Sequence, residues 1–525
     1  MHTPEIYDTT LRDGLQQEGL SPTARDRLLM AALIDRLGVD FIEGGWPGAS
    51  PKDDEFFSLA AKELVLENAA LVAFGSTCRV GADPADEPII EGVLAAATPV
   101  VCIVGKSWGY HVERVLRTDL DEGVRMVSDS VAYYLSQGRR VFFDAEHFFD
   151  GYRDNPDYAL RILRTALDAG AERLVLCDTN GGTLPGRARR VVEAVAAALP
   201  DAALGVHFHN DTGCAVASSL GALEAGALQV QGCLNGFGER TGNTDLCTLI
   251  PNLVLKQDAG SAALRRGLPH LGRVSHHVAE ITNTTLDPRH PYVGGSAFAH
   301  KAGLHTSALA HRPDAYEHVD PAEVGNTTRL LVSELMGRSA VHSWAEERGF
   351  DIDPDTATGI VAAVKDLEHQ GYQFEAADGS FELLVREALG WRQTFFQVDS
   401  FRTSVDHRPD GVVAEATVKI RVGEERHLVT KEGDGPVHAL DLALHTALGH
   451  SYPEVDSIRL VDYRVRDLDS SDGTAARVRV LVDFSNGVDT WSVVGVHRNV
   501  VSASWEALTA GVVIGLLRHR AAGGD

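Results

Sequence analysis

Up to residue 250 the chain repeats one unit eight times: a short apolar run, then a stretch of helical periodicity. The runs fall at Glu5–Thr9, Phe41–Gly44, Leu71–Phe74, Val100–Val104, Arg140–Asp144, Arg173–Cys177, Leu204–Phe208 and Gln229–Leu234. They are almost continuous in apolar residues rather than alternating, as strands covered on both faces must be. Between them the spacing predicts helices over Ala24–Leu37, Ser58–Leu66, Leu120–Ser136, Pro156–Ala169, Gly186–Ala198 and Ala215–Ala225. The first of these places Leu28, Leu29, Ala32, Leu33 and Leu37 on one face. Eight strands, each followed by a crossover, is the count of a closed (β/α)8 TIM barrel, so the fold class is α/β. Polar residues gather where the runs end: Asp13, Glu43, Ser76, Lys106, Asp144 with Glu146, Asp178 with Thr179, His207 with His209, and Asn235. Barrels of this kind carry their chemistry on that rim.

Two of the strand ends have metal-ligand character. In HFHND (His207–Asp211) the side chains of His207 and His209 share one face of a strand, with Phe208 opposite. Imidazoles two residues apart sit about 7 Å from each other along the strand and can reach one divalent ion. In DTTLRDG (Asp8–Gly14), Asp13 adds a carboxylate and Arg12 beside it can hold an anion. A chain of 525 residues exceeds one ordinary domain, so two to four units are expected. The net charge of −26 argues against binding to nucleic acid or to an acidic membrane surface. An anionic substrate therefore has to be captured by local Arg, Lys or backbone N–H groups. The six cysteines, at 78, 102, 177, 214, 233 and 247, form no CxxC pair and predict buried, reduced thiols. The start, MHTPEIYDTTLRDG, lacks a basic-then-apolar signal pattern, and no uninterrupted apolar stretch of 18 residues occurs. A cytoplasmic location is expected.

DTTLRDG, HFHND and NGFGERTGN (Asn235–Asn243) together resemble the α-isopropylmalate, homocitrate and citramalate synthase family. The finer matches lie with its citramalate branch. They are EGGWPGASPKD (Glu43–Asp53), CDTNGGTLP (Cys177–Pro185), HNDTGCAVA (His209–Ala217), SAFAHKAGLH (Ser296–His305) and YEHVDPAEVGN (Tyr316–Asn326). The resemblance implies a metal-dependent barrel that condenses acetyl-CoA with a 2-oxo acid, here pyruvate. Asp13, His207 and His209 would hold Mn²⁺, Zn²⁺, Co²⁺ or Mg²⁺, with Asn243 completing the shell directly or through water. Arg12 would stabilise the carbonyl oxygen as it gains charge, and Glu43 would fix the direction of Arg12. Thr179 would offer a hydroxyl to the substrate carboxylate. Gln16, Asp144 and Glu146 would line the pocket. His305 matches the family histidine that helps take the acetyl proton, and Tyr316 a tyrosine lying over the same site. In the family these two come from a segment that reaches over the partner's barrel, which implies at least a homodimer.

On this reading residues 1–262 are the catalytic barrel, 263–392 a linker with helical subdomains, and 393–525 a regulatory domain. Phe350–Leu389 returns to helical periodicity. Beyond it, strand patterns at Phe395–Val405, Val413–Val422 and His427–Lys431 precede a helix at Pro436–Leu448. The pattern then repeats, with strands at Asp456–Asp467, Ala475–Phe484 and Thr490–Val496 and a helix at Ser502–Leu517. This βββα duplication resembles the effector-binding domain of the same family, and isoleucine is the implied effector. Glycine loops near Gly433–Gly435 and Gly495 are expected to offer N–H groups to an amino-acid carboxylate. Three other readings compete. One is a 2-isopropylmalate synthase or another member of the family. Another is a hydroxymethylglutaryl-CoA lyase, which would lack the long C-terminal extension and carry a cysteine in a glycine loop. The last is a noncatalytic amino-acid sensor with a dead barrel, which intact Arg12, Asp13, His207, His209 and His305 argue against.

Overall fold

The structure is a computed structural model that describes residues 3–300, 312–330, 336–391, 395–409, 411–468 and 476–521. It divides into two compact units, residues 1–298 with 317–328, and residues 299–316 with 329–525.

In the first unit eight parallel strands close on themselves. They are β1 (Glu5–Asp8), β2 (Phe41–Gly45), β3 (Ala70–Ser76), β4 (Val100–Lys106), β5 (Arg140–Glu146), β6 (Arg173–Asp178), β7 (Leu204–Phe208) and β8 (Gln229–Gly232). Closure is made by β1 on β8, with Glu5 opposite Gln229 and Asp8 opposite Gly232. The barrel has two apolar layers. Tyr7, Phe41, Val72, Phe74, Val100, Cys102 and Phe142 plug its interior. The other faces of the strands pack against the helices in a larger shell that includes Ile6, Ile42, Val101, Phe143, Leu174 and Val206. Because side chains alternate, a step of two residues up a strand leads from this plug to a polar layer. Phe41 gives way to Glu43, and Phe142 to Asp144 and then Glu146.

Some element bounds differ from the sequence pattern. The second helix runs Pro51–Glu63, not 58–66, because Ser50 accepts from the Asp53 N–H and caps it with Pro51 at the first position. Short helices at Pro88–Ala95 and Phe148–Asp154 were not signalled by periodicity. β8 stops at Gly232, before the turn in which Asn235 takes a left-handed φ of 57°. Asn235 belongs to the frame rather than the rim chemistry: its amide donates to the Ser275 carbonyl. All six cysteines are free thiols, five of them buried. After the barrel the chain is clasped to the helix Leu246–Pro251. His290 Nε2 lies 2.8 Å from Asp245 Oδ2, and the Tyr292 hydroxyl donates to Asn252 Oδ1 at 2.8 Å.

The second unit begins with a two-stranded pairing of β9 (Ala299–His300) and β10 (Arg329–Leu330). Helices Arg338–Glu347, Pro354–His369 and Asp378–Ala388 share a small core around Trp344, Ile360 and Phe381. Two antiparallel sheets follow. The first has β11 (Gln397–Arg408), β12 (Gly411–Val422) and β13 (Glu425–Gly433), with the helix Pro436–Leu448 after them. The second has β14 (Arg459–Asp467), β15 (Val478–Ser485) and β16 (Thr490–His497), then the helix Val500–Ala521. The two sheets and both helices share one core, which includes Val418, Leu444, Val480, Trp491 and Leu508. By length and mean hydropathy the last helix could cross a bilayer, although its apolar run is interrupted. It packs on its own sheet instead: the Trp491 indole donates to the Gly511 carbonyl, and a Cβ on Gly511 would collide with the Phe484 ring.

Two of the three expected effector glycines have packing roles. Gly495 lies inside β16, where a Cβ would come within 2.1 Å of the Ala503 carbonyl. Gly433 likewise faces the Ala439 backbone at 2.7 Å, while Gly435 opens to free space at the start of the helix Pro436–Leu448. The outer edge of β16 is occupied. The N–H of Ser492 donates to Asp378 Oδ1, that of Val494 to Ser380 Oγ, and that of Val496 to Glu506 Oε2.

Candidate active site

The C-terminal ends of the strands surround a cleft of about 730 Å³, whose lining includes Arg12, Asp13, Gln16, Phe74, Lys106, Asp144, Glu146, Thr179, His207, His209 and Arg240. On its floor Asp13, His207 and His209, all buried, each offer one ligand atom, and these atoms lie within 4.8 Å of one another. His207 Nε2 is 3.3 Å from Asp13 Oδ2. The loop Asn235–Asn243 delivers a fourth group. Its glycines make this possible: Gly242 has φ +86°, and a Cβ on Gly238 (φ +144°) would come within 2.7 Å of the Asn243 amide nitrogen. Asn243 donates to Asp13 Oδ2 at 2.8 Å.

The donor set fits a divalent cation. Asn243 Oδ1 and His209 Nδ1 are both buried without a hydrogen-bond partner among the described residues. Such orphans are rare in a folded core and need a reason. Mixed N/O ligation of this kind suits a borderline or hard divalent ion. The charge balance agrees for Asp13 and His209. Burial opposes ionisation of Asp13, but the Arg12 guanidinium and His207 outweigh it and hold the carboxyl well below the usual range. Burial and the neighbouring His207 push His209 down to about 3, leaving a neutral imidazole with one nitrogen lone pair to give. Burial likewise works against a charged His207, but its contact with Asp13 raises it.

Beside this cluster Arg12 is held rigidly. Its Nε donates to Glu43 Oε2 at 2.6 Å, its Nη1 lies 3.3 Å from Asp13, and its guanidinium carbon sits 3.9 Å above the Phe74 ring. The other Glu43 oxygen accepts from the Tyr7 hydroxyl at 2.8 Å. Glu43 is fully buried, and burial raises its pKa against the pull of Arg12. Across the cleft Glu146 pairs with Lys106. Thr179 Oγ1 accepts from the His147 N–H at 2.9 Å, which leaves the hydroxyl proton free to point elsewhere. Arg240, anchored on Asp211 at 2.9 Å, also donates to the Thr179 carbonyl. Asp144 is buried, which raises its pKa, with His207, Cys102, Arg12 and Gln231 favouring the charged form.

The structure thus brings Arg12, Asp13, Gln16, Glu43, Asp144, Glu146, Thr179, His207, His209 and Asn243 to one end of the barrel. His305 lies outside the described residues. Tyr316 is exposed and belongs to the second unit. Sequence reasoning missed Tyr7, Phe74, Arg240 and Gln231, and noted Lys106 only as a polar strand end. Signals existed for two of them: Gln231 is a polar side chain inside a strand, and Arg240 is a cation in the NGFGERTGN loop that also carries Asn243. Cys233, just past β8, is no exposed loop thiol. It is fully buried, 3.0 Å from Thr9 Oγ1 and 3.4 Å from the Asn243 amide.

Residues 3–275, just over half of the chain, match the family model described as HMGL-like. Residues 292–372 match one described as homocitrate synthase post-HMGL domain-like, and residues 375–514 one described as LeuA allosteric (dimerisation) domain. The (R)-citramalate synthase of Streptomyces coelicolor is 50% identical over 98% of this chain and 96% of its own. That of Synechocystis is 50% identical over 97% and 96%, and that of Aquifex aeolicus 45% identical over 99% and 98%. With the barrel, the buried ligand cluster and near full-length identity in agreement, the chain belongs to the HMGL-like family, in its (R)-citramalate synthase branch.

Proposed function

We propose that the protein condenses acetyl-CoA with pyruvate and water to give (R)-citramalate and CoA, using a divalent metal ion. The observation that carries this reading is the Asp13–His207–His209 cluster, with orphaned buried atoms at His209 Nδ1 and at the neighbouring Asn243 Oδ1, set on a cleft floor beside an immobilised Arg12. When bound, the ion supplies Lewis-acid polarisation of the 2-oxo group. Arg12, kept in place by Glu43, lowers the energy of the alkoxide that forms at C2 of pyruvate. Thr179 donates its free hydroxyl proton to the pyruvate carboxylate, and Gln16 and Glu146 line the remaining wall.

His305 takes a proton from the acetyl methyl group, the resulting carbon nucleophile bonds to C2, and the C2 oxygen is protonated. Water then cleaves the thioester, releasing CoA as the thiol. Tyr316 closes over the site from the same segment as His305, which a partner chain contributes. Residues 393–525 act as the regulatory domain, with isoleucine as effector, and 263–392 link it to the barrel of residues 1–262. The apolar helix Val500–Ala521, packed on its own sheet, supports a cytoplasmic placement.

Thiol release measured with acetyl-CoA against a panel of 2-oxo acids tests the reading. Pyruvate is expected to give the highest kcat/KM. Some turnover of 2-oxobutyrate is expected, since an apolar pocket discriminates one methylene by about 1–3 kcal/mol. A higher kcat/KM for 2-oxoisovalerate would move the assignment to isopropylmalate synthesis. Amino-acid binding without any condensation would make the protein a sensor.

A further inference from the structure

Gln231 is fully buried on β8 and is bonded at both ends of its amide. Its Oε1 lies 2.9 Å from His207 Nδ1, and its Nε2 donates to Asp144 Oδ1 at 2.9 Å. The three residues come from β8, β7 and β5, so the barrel itself aligns them. With its NH₂ given to the Asp144 oxygen, the amide turns its carbonyl toward His207. A neutral imidazole has one N–H and one bare nitrogen. The carbonyl accepts the Nδ1 proton, which leaves the Nε2 lone pair facing Asp13, 3.3 Å away. A reversed amide would press its NH₂ against Nδ1 and force the proton onto Nε2, where a metal has to bind.

We propose that Gln231 is a positioning residue for the metal centre: it relays the polarity of Asp144 to His207 and fixes the imidazole as a ligand through Nε2. The inference rests on the metal reading of Asp13, His207 and His209. Partners behind metal-bound histidines commonly govern affinity in this way.

The test measures Mn²⁺ binding to the metal-stripped full-length protein, from the free-ion electron paramagnetic resonance signal, together with thermal unfolding. Gln231→Met keeps length and removes the acceptor, and is expected to raise the Kd about tenfold to a hundredfold. Asp144→Asn lets the amide reverse, and is expected to weaken binding although Asp144 is not a ligand. The double variant Gln231→Glu with Asp144→Asn returns an acceptor to His207 with an amide donor behind it, and is expected to recover binding lost in Gln231→Met. At saturating Mn²⁺ the Met variant should recover most of its kcat.

Equal Mn²⁺ affinity in the parent, Gln231→Met and Asp144→Asn overturns the proposal. So does a Gln231→Glu/Asp144→Asn double variant as impaired in binding as Gln231→Met, because that pattern marks mere packing. If Gln231→Met fails to fold, Asp144→Asn decides alone. A parent that binds no Mn²⁺ overturns the metal reading itself, an outcome distinct from failure of the relay.

Discussion

Glu43 offers the sharpest test of how the cleft is built. It takes two hydrogen bonds, from Arg12 Nε at 2.6 Å and from the Tyr7 hydroxyl at 2.8 Å, in a position without solvent access. In Glu43→Gln the single amide oxygen can still face Arg12, but the acceptor loses its charge and the ion pair becomes a cation-to-amide bond. Bonds to charged groups are worth about 1.5–3 kcal/mol and neutral ones about 1, so removing one of the two charges weakens the tether by about 0.5–2 kcal/mol. The loosened guanidinium has a competing attraction to Asp13, already 3.3 Å from Nη1. If that energy is what aims Arg12 at the substrate, kcat/KM should fall about twofold to thirtyfold, at about 1.4 kcal/mol per decade. Glu43→Ala breaks the buried pair outright, a loss of about 3–5 kcal/mol, and should cost at least about a hundredfold or unfold the barrel. Tyr7→Phe keeps the charge pair and should stay within about threefold. The assay is CoA release at saturating Mn²⁺, with circular dichroism to confirm folding. If both Glu43 variants fold and retain the parental kcat/KM, Arg12 is not directed by Glu43 and the reasoning fails.

Three further expectations follow from the same geometry. His207→Ala or Asp13→Ala should abolish turnover with the barrel still folded, and chelation should do the same reversibly, with recovery on adding Mn²⁺; full activity of metal-free His207→Ala would falsify the ligand assignment. The His290–Asp245 clasp should stabilise the protein in a pH-dependent way. Burial opposes charge on His290, but Asp245 raises its pKa, so the stabilisation is complete below the unfolded value of about 6.5 and is lost as pH rises through the folded one. Thermal unfolding of His290→Gln should therefore differ from the parent at pH 6 and approach it at pH 9; an equal deficit at both rules out the ionic contribution. Millimolar isoleucine should inhibit the full-length enzyme; indifference to both isoleucine and leucine, with no heat of binding, would leave assembly as the role of the C-terminal unit.

The barrel was legible because its periodicity is strong and repeated. Continuous apolar runs of four to eight residues can be read as parallel strands only when they alternate with helices, and here they did so throughout. The metal ligands were legible for a local reason: a period of two puts His207 and His209 on one side regardless of context. Gln231 was hidden by the same rule that revealed them. It stands in QVQG, a segment whose polar residues look like a weak strand until β7 is laid beside β8 and His207 comes opposite it. The helix Pro51–Glu63 was misplaced because its start is set by capping at Ser50 and Pro51 rather than by its apolar face. Gly495 read as a loop because glycine punctuates turns far more often than it makes room for a helix against a strand. That distinction depends on the helix folding back so that the Ala503 carbonyl meets Gly495, a contact that periodicity does not encode.

The occupied rim of β16 also decides what else can attach there. An edge strand with free amides is an open template for a further strand from another molecule, and folded proteins block such templates. Here Asp378, Ser380 and Glu506 take the outward N–H groups of alternate residues, so no incoming strand finds a donor along Ser492–Val496. Two of the three blocking side chains come from the start of the helix Asp378–Ala388, outside the βββα repeat itself. A C-terminal fragment beginning after that helix would thus bare a β-template that the full chain keeps covered. Such a fragment should be prone to self-association for a reason unrelated to any native dimer contact.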